Sequence, residues 1–239
     1  MTFRDEVRTA TKAFGIALNE EQIECFNIYY QMLLKWNEKM NLTAITDPQE
    51  VAVKHVVDSL SAVDPSVFTK NVHAIDVGTG AGLPGVAIKI YCPSIHIVLL
   101  DSLQKRINFL QNVVSELGLS NVECVHARAE EAARQKEYRE RFDVAMARAV
   151  ARLSVLAEYT LPFVRVGGVL LALKGARYLE EMEEAEKASR ILGGGKPVAR
   201  AVHLPGLCDG RAIVRIDKKT ATPSAYPRKS GTPEKKPLI

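Results

Sequence analysis

Between residues 72 and 216, short apolar runs alternate with longer amphipathic ones. The apolar runs fall at residues 73–77, 96–100, 122–126, 142–147, 169–174 and 212–216. Helix-like periodicity marks residues 84–91, 104–117, 130–138, 154–163 and 178–192. Near-continuous apolar strands need cover on both faces, and helices that cross between successive strands provide it. The alternation therefore predicts an α/β fold with a mostly parallel, doubly wound sheet.

Upstream of the sheet, residues 1–65 read as helices. Ile23, Phe26, Tyr30, Leu33, Leu34 and Asn37 recur three or four apart, the period of one helical face. Asn19, with Gln22 three residues later, suits a cap, and Asp47-Pro48 suits a second start. Residues 66–217 hold the sheet, and residues 218–239 turn to Pro, Lys, Ser and Thr, a composition that predicts a loose basic tail. The division is thus a helical extension, a main domain and a tail. A net charge of +4 permits a nucleic-acid partner without requiring one. The four scattered cysteines argue against disulfides and zinc, and point to a reducing cytoplasm. No apolar run reaches the length of a membrane span, so no membrane partner is expected.

The first strand ends Asp76-Val77-Gly78, followed by Thr79-Gly80-Ala81-Gly82-Leu83-Pro84. Ligands in doubly wound sheets bind at the C-terminal ends of the strands, where strand order reverses. Glycines there tolerate positive φ and let a ligand approach bare backbone. A dinucleotide would want G-x-G-x-x-G and a helix N-terminus for its pyrophosphate. Here the spacing is G-x-G-x-G, and Pro84 has no N–H to offer. Asp76 suits a cationic ligand better than a phosphate. S-adenosylmethionine is cationic, has no phosphate and carries a ribose. Asp101, closing the second strand, can accept from ribose hydroxyls. Ala129 and Glu130, after the third strand, offer a place for adenine, although Ala-Glu is also an ordinary helix start.

The fourth strand ends Arg148-Ala149-Val150, without the Asn/Asp-Pro-Pro-aromatic sequence used on exocyclic amines. No Pro-Cys nucleophile, Ser/His/Asp set or metal-ligand cluster is recognisable, and the five histidines lie far apart. This points to an acceptor whose lone pair is already free, such as guanine N7. No catalytic general base is then expected.

The segments WNEKMNLTAIT (36–46), VKHVVDSL (53–60), IDVGTGAGLPG (75–85), DSLQKRINFL (101–110), RAEE (128–131), ARAVARL (147–153), ALKG (172–175) and YPRKSGTP (226–233) together resemble the bacterial small-subunit rRNA methyltransferase G family, formerly glucose-inhibited division protein B. The likeness runs through nearly the whole chain. It implies a Rossmann-like class I S-adenosylmethionine-dependent methyltransferase fold with an N-terminal helical extension. It also implies methylation of N7 of one guanine in the decoding-centre loop of 16S rRNA, with the rRNA or the small ribosomal subunit as partner. Carried over by motif, cofactor contacts fall on Gly78, Leu83, Ala129, Glu130 and Arg148. Thr79 and Leu83 replace the more frequent Ala and Phe, and neither change disturbs the cofactor reading.

Contacts with RNA are expected from Arg152, Lys174, Arg228, Lys229 and His55. His55 and Asp58 read equally well as ties between the extension and the main domain, and Trp36 as core rather than a stacking platform. A cytoplasmic monomer is expected. On residues alone, a non-catalytic RNA-binding factor and a small-molecule methyltransferase stay open as alternatives.

Overall fold

Seven strands form one sheet: β1 His73–Val77, β2 His96–Asp101, β3 Val122–His126, β4 Phe142–Arg148, β5 Val164–Lys174, β6 Val198–Val202 and β7 Arg211–Asp217. The structure, a computed structural model, describes residues 1–239. Strand order is β3-β2-β1-β4-β5-β7-β6. The first five are mutually parallel, whereas β7 runs antiparallel to β5, and β6 to β7. The sequence reading omits β6, and the reason is positional. VARAV lies at the sheet edge and is buried only at Val202, so it carries no continuous apolar run.

The helices are α1 Phe3–Phe14, α2 Glu20–Asn37, α3 Pro48–Val51, α4 Asp58–Leu60, α5 Gly85–Tyr91, α6 Gln104–Glu116, α7 Ala129–Ala132, α8 Leu153–Thr160, α9 Tyr178–Ile191 and α10 Thr232–Lys235. A π-helical turn, Ala52–Val57, joins α3 to α4. Both expected caps form. Asn19 and Gln22 exchange side-chain and backbone hydrogen bonds, and Asp47 accepts from the Glu50 N–H ahead of Pro48. No helix is long and apolar enough to cross a membrane.

The extension shares the main core. Phe26, Tyr29 and Leu33 of α2 pack into one cluster with Ile88, Phe109 and Leu110 on one face of the sheet. Trp36 meets Phe109 edge-on, its ring centroid 5.7 Å away. The other face is covered by Leu156, Phe163, Ala188 and Leu192.

Two expectations fail together. Residues 130–138 favour helix by composition, yet α7 ends at Ala132. Residues 218–239 are not loose but packed on the turn that follows. Arg134 donates to the carbonyls of Ala225 and Pro227, and Arg139 to those of Thr222 and Tyr226. Lys218 is fully buried, donating to the Leu161 carbonyl at 2.7 Å with Glu140 3.3 Å away. Tertiary hydrogen bonds thus override the local preference for helix. They also consume two of the tail's bases, Lys218 and Arg228, while Lys229, Lys235 and Lys236 stay exposed.

Candidate active site

The chain reverses its strand order between β1 and β4, and the loops around that point form two adjoining cavities. The glycine loop lies at the centre. Gly78, Gly80 and Gly82 take φ of 72°, 60° and 92°, values that side chains rarely adopt. The N–H groups of Gly78 and Thr79 both reach the Leu100 carbonyl, so the loop begins by bridging to β2.

Asp76 lies fully buried beneath the loop. Its Oδ2 accepts from the Thr79 hydroxyl at 2.7 Å and the Gly85 N–H at 2.8 Å, while Oδ1 has no partner. Burial pushes its carboxyl up to about 6, against the pull of those two hydrogen bonds. Asp101 fixes the loop from the other side. Oδ2 accepts from the Gly80 N–H at 2.9 Å and Oδ1 from the Leu103 N–H at 2.9 Å. Arg106 also reaches Oδ2, at 3.3 Å, so it is Oδ1 that keeps a lone-pair direction for a further donor.

The smaller cavity, about 160 Å³, opens on Gly78, Asp101, Ala129 and Glu130, and is closed by Val150, Tyr159, Gly231 and Glu234. The donor set decides what fits. The N–H of Gly85, the first residue of α5, is spent on Asp76, and Pro84 before it has none, so no phosphate cradle exists. Above Gly80 the space is open, with the nearest atom 4.0 Å from where a Cβ would stand. Bare backbone, a ribose acceptor and an unpartnered carboxylate oxygen under the loop fit a cationic nucleoside such as S-adenosylmethionine.

The larger cavity, about 540 Å³, lies at the mouth of β4 and β5. It is lined by Lys54, His55, Asp58, Arg148, Lys174 and Arg211 among others. Asp58 organises it: Oδ2 takes Arg148 at 3.0 Å and Oδ1 takes Arg211 at 3.1 Å. Arg148 donates through the same Nη1 to the Lys54 carbonyl at 2.9 Å. His55 meets the Thr43 hydroxyl through Nε2 at 2.9 Å, and its Nδ1 is buried without a partner. Burial, and then the nearby Arg148 charge, push this imidazole down to about 4. Ala149, on the wall of the larger cavity, takes φ 55°, a left-handed conformation costing a non-glycine residue roughly 1–2 kcal/mol. It turns Arg148 to one cavity and Val150 to the other.

The structure therefore gathers Gly78, Asp101, Ala129 and Glu130 around one cavity and sets Arg148 at the other. Gly80 lies in the loop beside the first, and Asp76, in β1, lies beneath that loop. It removes others. At Gly82, a Cβ would stand 2.5 Å from Val86 Cγ2 and 2.9 Å from Leu110 Cδ2, so this glycine serves packing inside. Leu83 is buried in the same core and lines neither cavity. Lys174 lines the larger cavity, but its ammonium is held by Glu181 at 2.6 Å and the Ala151 carbonyl at 2.8 Å. Arg228 forks onto Glu158, whose side chain is 1% exposed. An RNA phosphate would have to strip either base from its carboxylate and leave that charge unpaired. His55 is likewise turned inward. Arg152 and Lys229 remain exposed, Arg152 in a 2.6 Å pair with Glu184. Sequence reasoning missed Tyr29, Arg211, Gly231 and Glu234. Tyr29 shows only as one more residue of an apolar stripe, and the others reach the site through long-range folding.

The family model for rRNA small subunit methyltransferase G matches residues 22–204. A ribosomal RNA small subunit methyltransferase G of Exiguobacterium sp. is 50% identical over 230 residues, covering 96% of this chain and 97% of that one. The protein of the same name from Desulforamulus reducens is 45% identical over 232 residues, covering 97% of each. Among solved structures, a precorrin-6y C5,15-methyltransferase from Geobacter metallireducens superposes with a TM-score of 0.51 at 16% identity, covering 75% of this chain and 92% of that one. That likeness bears on the fold, which is the class I methyltransferase arrangement.

Proposed function

The chain belongs to the rRNA small subunit methyltransferase G family, and from that premise we propose that its acceptor is N7 of a guanine in 16S rRNA. It is an S-adenosylmethionine-dependent methyltransferase of small-subunit rRNA. One observation supports N7 above other acceptors: the larger cavity is rich in cations but offers no side chain placed to take a proton. His55 has Nε2 engaged and Nδ1 sealed, Asp76 is under the loop, Asp58 is spent on two arginines, Glu181 is held by Lys174 and the Leu153 N–H, and Asp209 is held by Arg211. A nitrogen that is already unprotonated needs none of them.

When bound, S-adenosylmethionine supplies a methyl group on a sulfonium, with a neutral thioether as leaving group. The chain's part is to hold and align. Gly78 and Gly80 keep the floor free of side chains, Asp101 accepts from the ribose, and Ala129 with Glu130 borders the base. Arg148 is fixed through Nη1, which leaves its other N–H groups to face the larger cavity. The lining sets Lys54, Arg148, Lys174, Arg177 and Arg211 against Asp58, Glu181 and Asp209, and this positive balance, rather than any one unpaired base, favours a polyanion at the mouth. Alignment of this kind is worth roughly 7–11 kcal/mol without any proton transfer. Arg152 and Lys229, the exposed bases, are the RNA contacts in this reading. We propose a cytoplasmic monomer as the working unit.

The test is to map methylated guanines in 16S rRNA from cells with and without the gene. Loss of a single N7-methylguanine on deletion, restored by the intact gene, is expected. Loss of a methyl group at another atom would overturn the acceptor assignment while leaving the family intact.

A further inference from the structure

Beyond the Lys229 contact, the C-terminal segment has no role in the reaction just described, yet it is pinned to the site by five residues. Arg134 and Arg139 hold its carbonyls, and Arg228 lies against Glu158 at 2.6 Å. Beyond this anchor, the Gly231 N–H donates to Glu130 Oε1 at 3.0 Å and the Ser230 hydroxyl to Glu131 at 3.3 Å. Gly231 turns the chain at φ 78°, and the single helical turn of α10 follows, with Pro233 buried. The result sets Gly231 and Glu234 on the wall of the smaller cavity, with Gly78 and Asp101.

The order of the strands gives this wall a chemical meaning. Gly78 closes β1, Asp101 closes β2, and Ala129 with Glu130 follows β3. A nucleoside whose ribose meets Asp101 and whose base lies toward Ala129 has that base beside Gly231 and Glu234. Adenine presents an exocyclic amine, a donor that needs an acceptor. Both oxygens of Asp101 already accept backbone N–H groups, and Glu130 Oε1 accepts from Gly231. Glu234 accepts no backbone N–H, and its carboxylate lies near the Tyr159 hydroxyl on the cavity rim.

We propose that residues 231–235 form a wall of the cofactor site and that Glu234 accepts a hydrogen bond from the exocyclic amine of its adenine, a role that rests on assigning the smaller cavity to the cofactor's nucleoside. The segment thereby serves two ends: it immobilises Glu130 and it reads the base. Nothing in this role depends on RNA.

Calorimetry on the full-length chain tests it with two ligands, S-adenosylhomocysteine and its 6-oxo analogue S-inosylhomocysteine, which lacks the amine. Glu234→Ala should lower affinity for the adenosine ligand about tenfold, or about 1.4 kcal/mol. Affinity for the inosine ligand should stay within twofold. Glu234→Gln keeps the size of the side chain if the alanine variant folds poorly. Its amide can donate to a 6-oxo group, so the preference for adenosine over inosine should shrink or reverse. Equal weakening of both ligands would overturn base recognition by Glu234. Unchanged affinity for both in a folded variant would remove the segment from the site. Failure of the unaltered chain to bind S-adenosylhomocysteine would instead strike the cofactor assignment itself, and unaltered binding without RNA methylation would strike the acceptor.

Discussion

The buried hydroxyl of Tyr29, in α2, donates a 2.8 Å hydrogen bond to the carbonyl of Ala81, in the glycine loop. The helical extension therefore does more than cover the sheet: it holds the loop on which the cofactor reading rests. Tyr29→Phe would leave the Ala81 carbonyl buried and unpaired, at a cost of roughly 1–3 kcal/mol. Denaturant unfolding should show that loss, and affinity for S-adenosylhomocysteine should fall with it. A variant destabilised to this extent but binding normally would show that the loop keeps its shape without α2.

Two glycines two residues apart should behave differently. Gly80 faces open space, so Gly80→Val should leave the chain folded, burdened by strain at φ 60°, while cofactor affinity falls at least tenfold, about 1.4 kcal/mol. At Gly82 even alanine drives a Cβ into Val86 and Leu110. Gly82→Ala should therefore cost stability first, by roughly 1–3 kcal/mol from overpacking. Thermal unfolding beside calorimetry on both variants separates the effects. Equal loss of stability at both positions would contradict the two environments.

The Arg228–Glu158 pair makes the C-terminal segment part of the folded body. Removing one partner of such a pair leaves a buried charge, and roughly 3–5 kcal/mol is the usual cost. Arg228→Met should approach that figure in denaturant unfolding. The double variant with Glu158→Gln should recover part of it, because no charge is left behind. If Arg228→Met instead reduced RNA affinity at unchanged stability, the arginine would be a phosphate contact after all.

These cases also mark what the sequence made legible. Strands and crossover helices were readable because burial on both faces leaves an unbroken apolar run, as in HIVLLD of β2. The glycine loop and Asp101 were readable because φ and ligand approach act through the residue itself. The segment after Ala132 was not. EEAARQKEY reads as helix until Arg134 and the adjoining Arg139 find carbonyls some ninety residues away, at Ala225 and Tyr226. The same partners hide the tail's order, since a base paired with a distant buried carboxylate looks identical in sequence to a solvated one. Gly82 misleads for a related reason: the motif shows that no side chain is tolerated, but not whether ligand or leucine forbids it.

The absence of a base predicts a flat rate. Guanine N7 is unprotonated near neutrality, His55 is already neutral well below it, and Asp76 titrates near 6 beneath the loop. Single-turnover methylation of bound RNA should vary little between about pH 6.5 and 8.5. A tenfold rise per pH unit would reveal an essential base and a different acceptor atom.

His55 should instead govern acid stability. Its imidazole lies at about 4 in the folded chain against an ordinary 6.5, because burial and the Arg148 charge oppose protonation. The unfolded chain then binds the proton more readily. The contribution is present in full above about pH 6.5 and is lost as pH falls through that value toward 4. Between about pH 7.5 and 5 the loss amounts to about 2 kcal/mol. Asp76 runs the other way: its raised value favours the folded state below 3.8, and that benefit fades as pH rises through 6. The unaltered chain therefore shows the two effects partly cancelled, and a comparison isolates the imidazole. His55→Gln keeps a polar group beside Thr43 but cannot titrate. Its stability deficit relative to the unaltered chain, measured by denaturant unfolding at each pH, should shrink by about 2 kcal/mol from pH 7.5 to 5. A deficit that stays constant across that range would mean that His55 takes up its proton in the folded chain as readily as in the unfolded one.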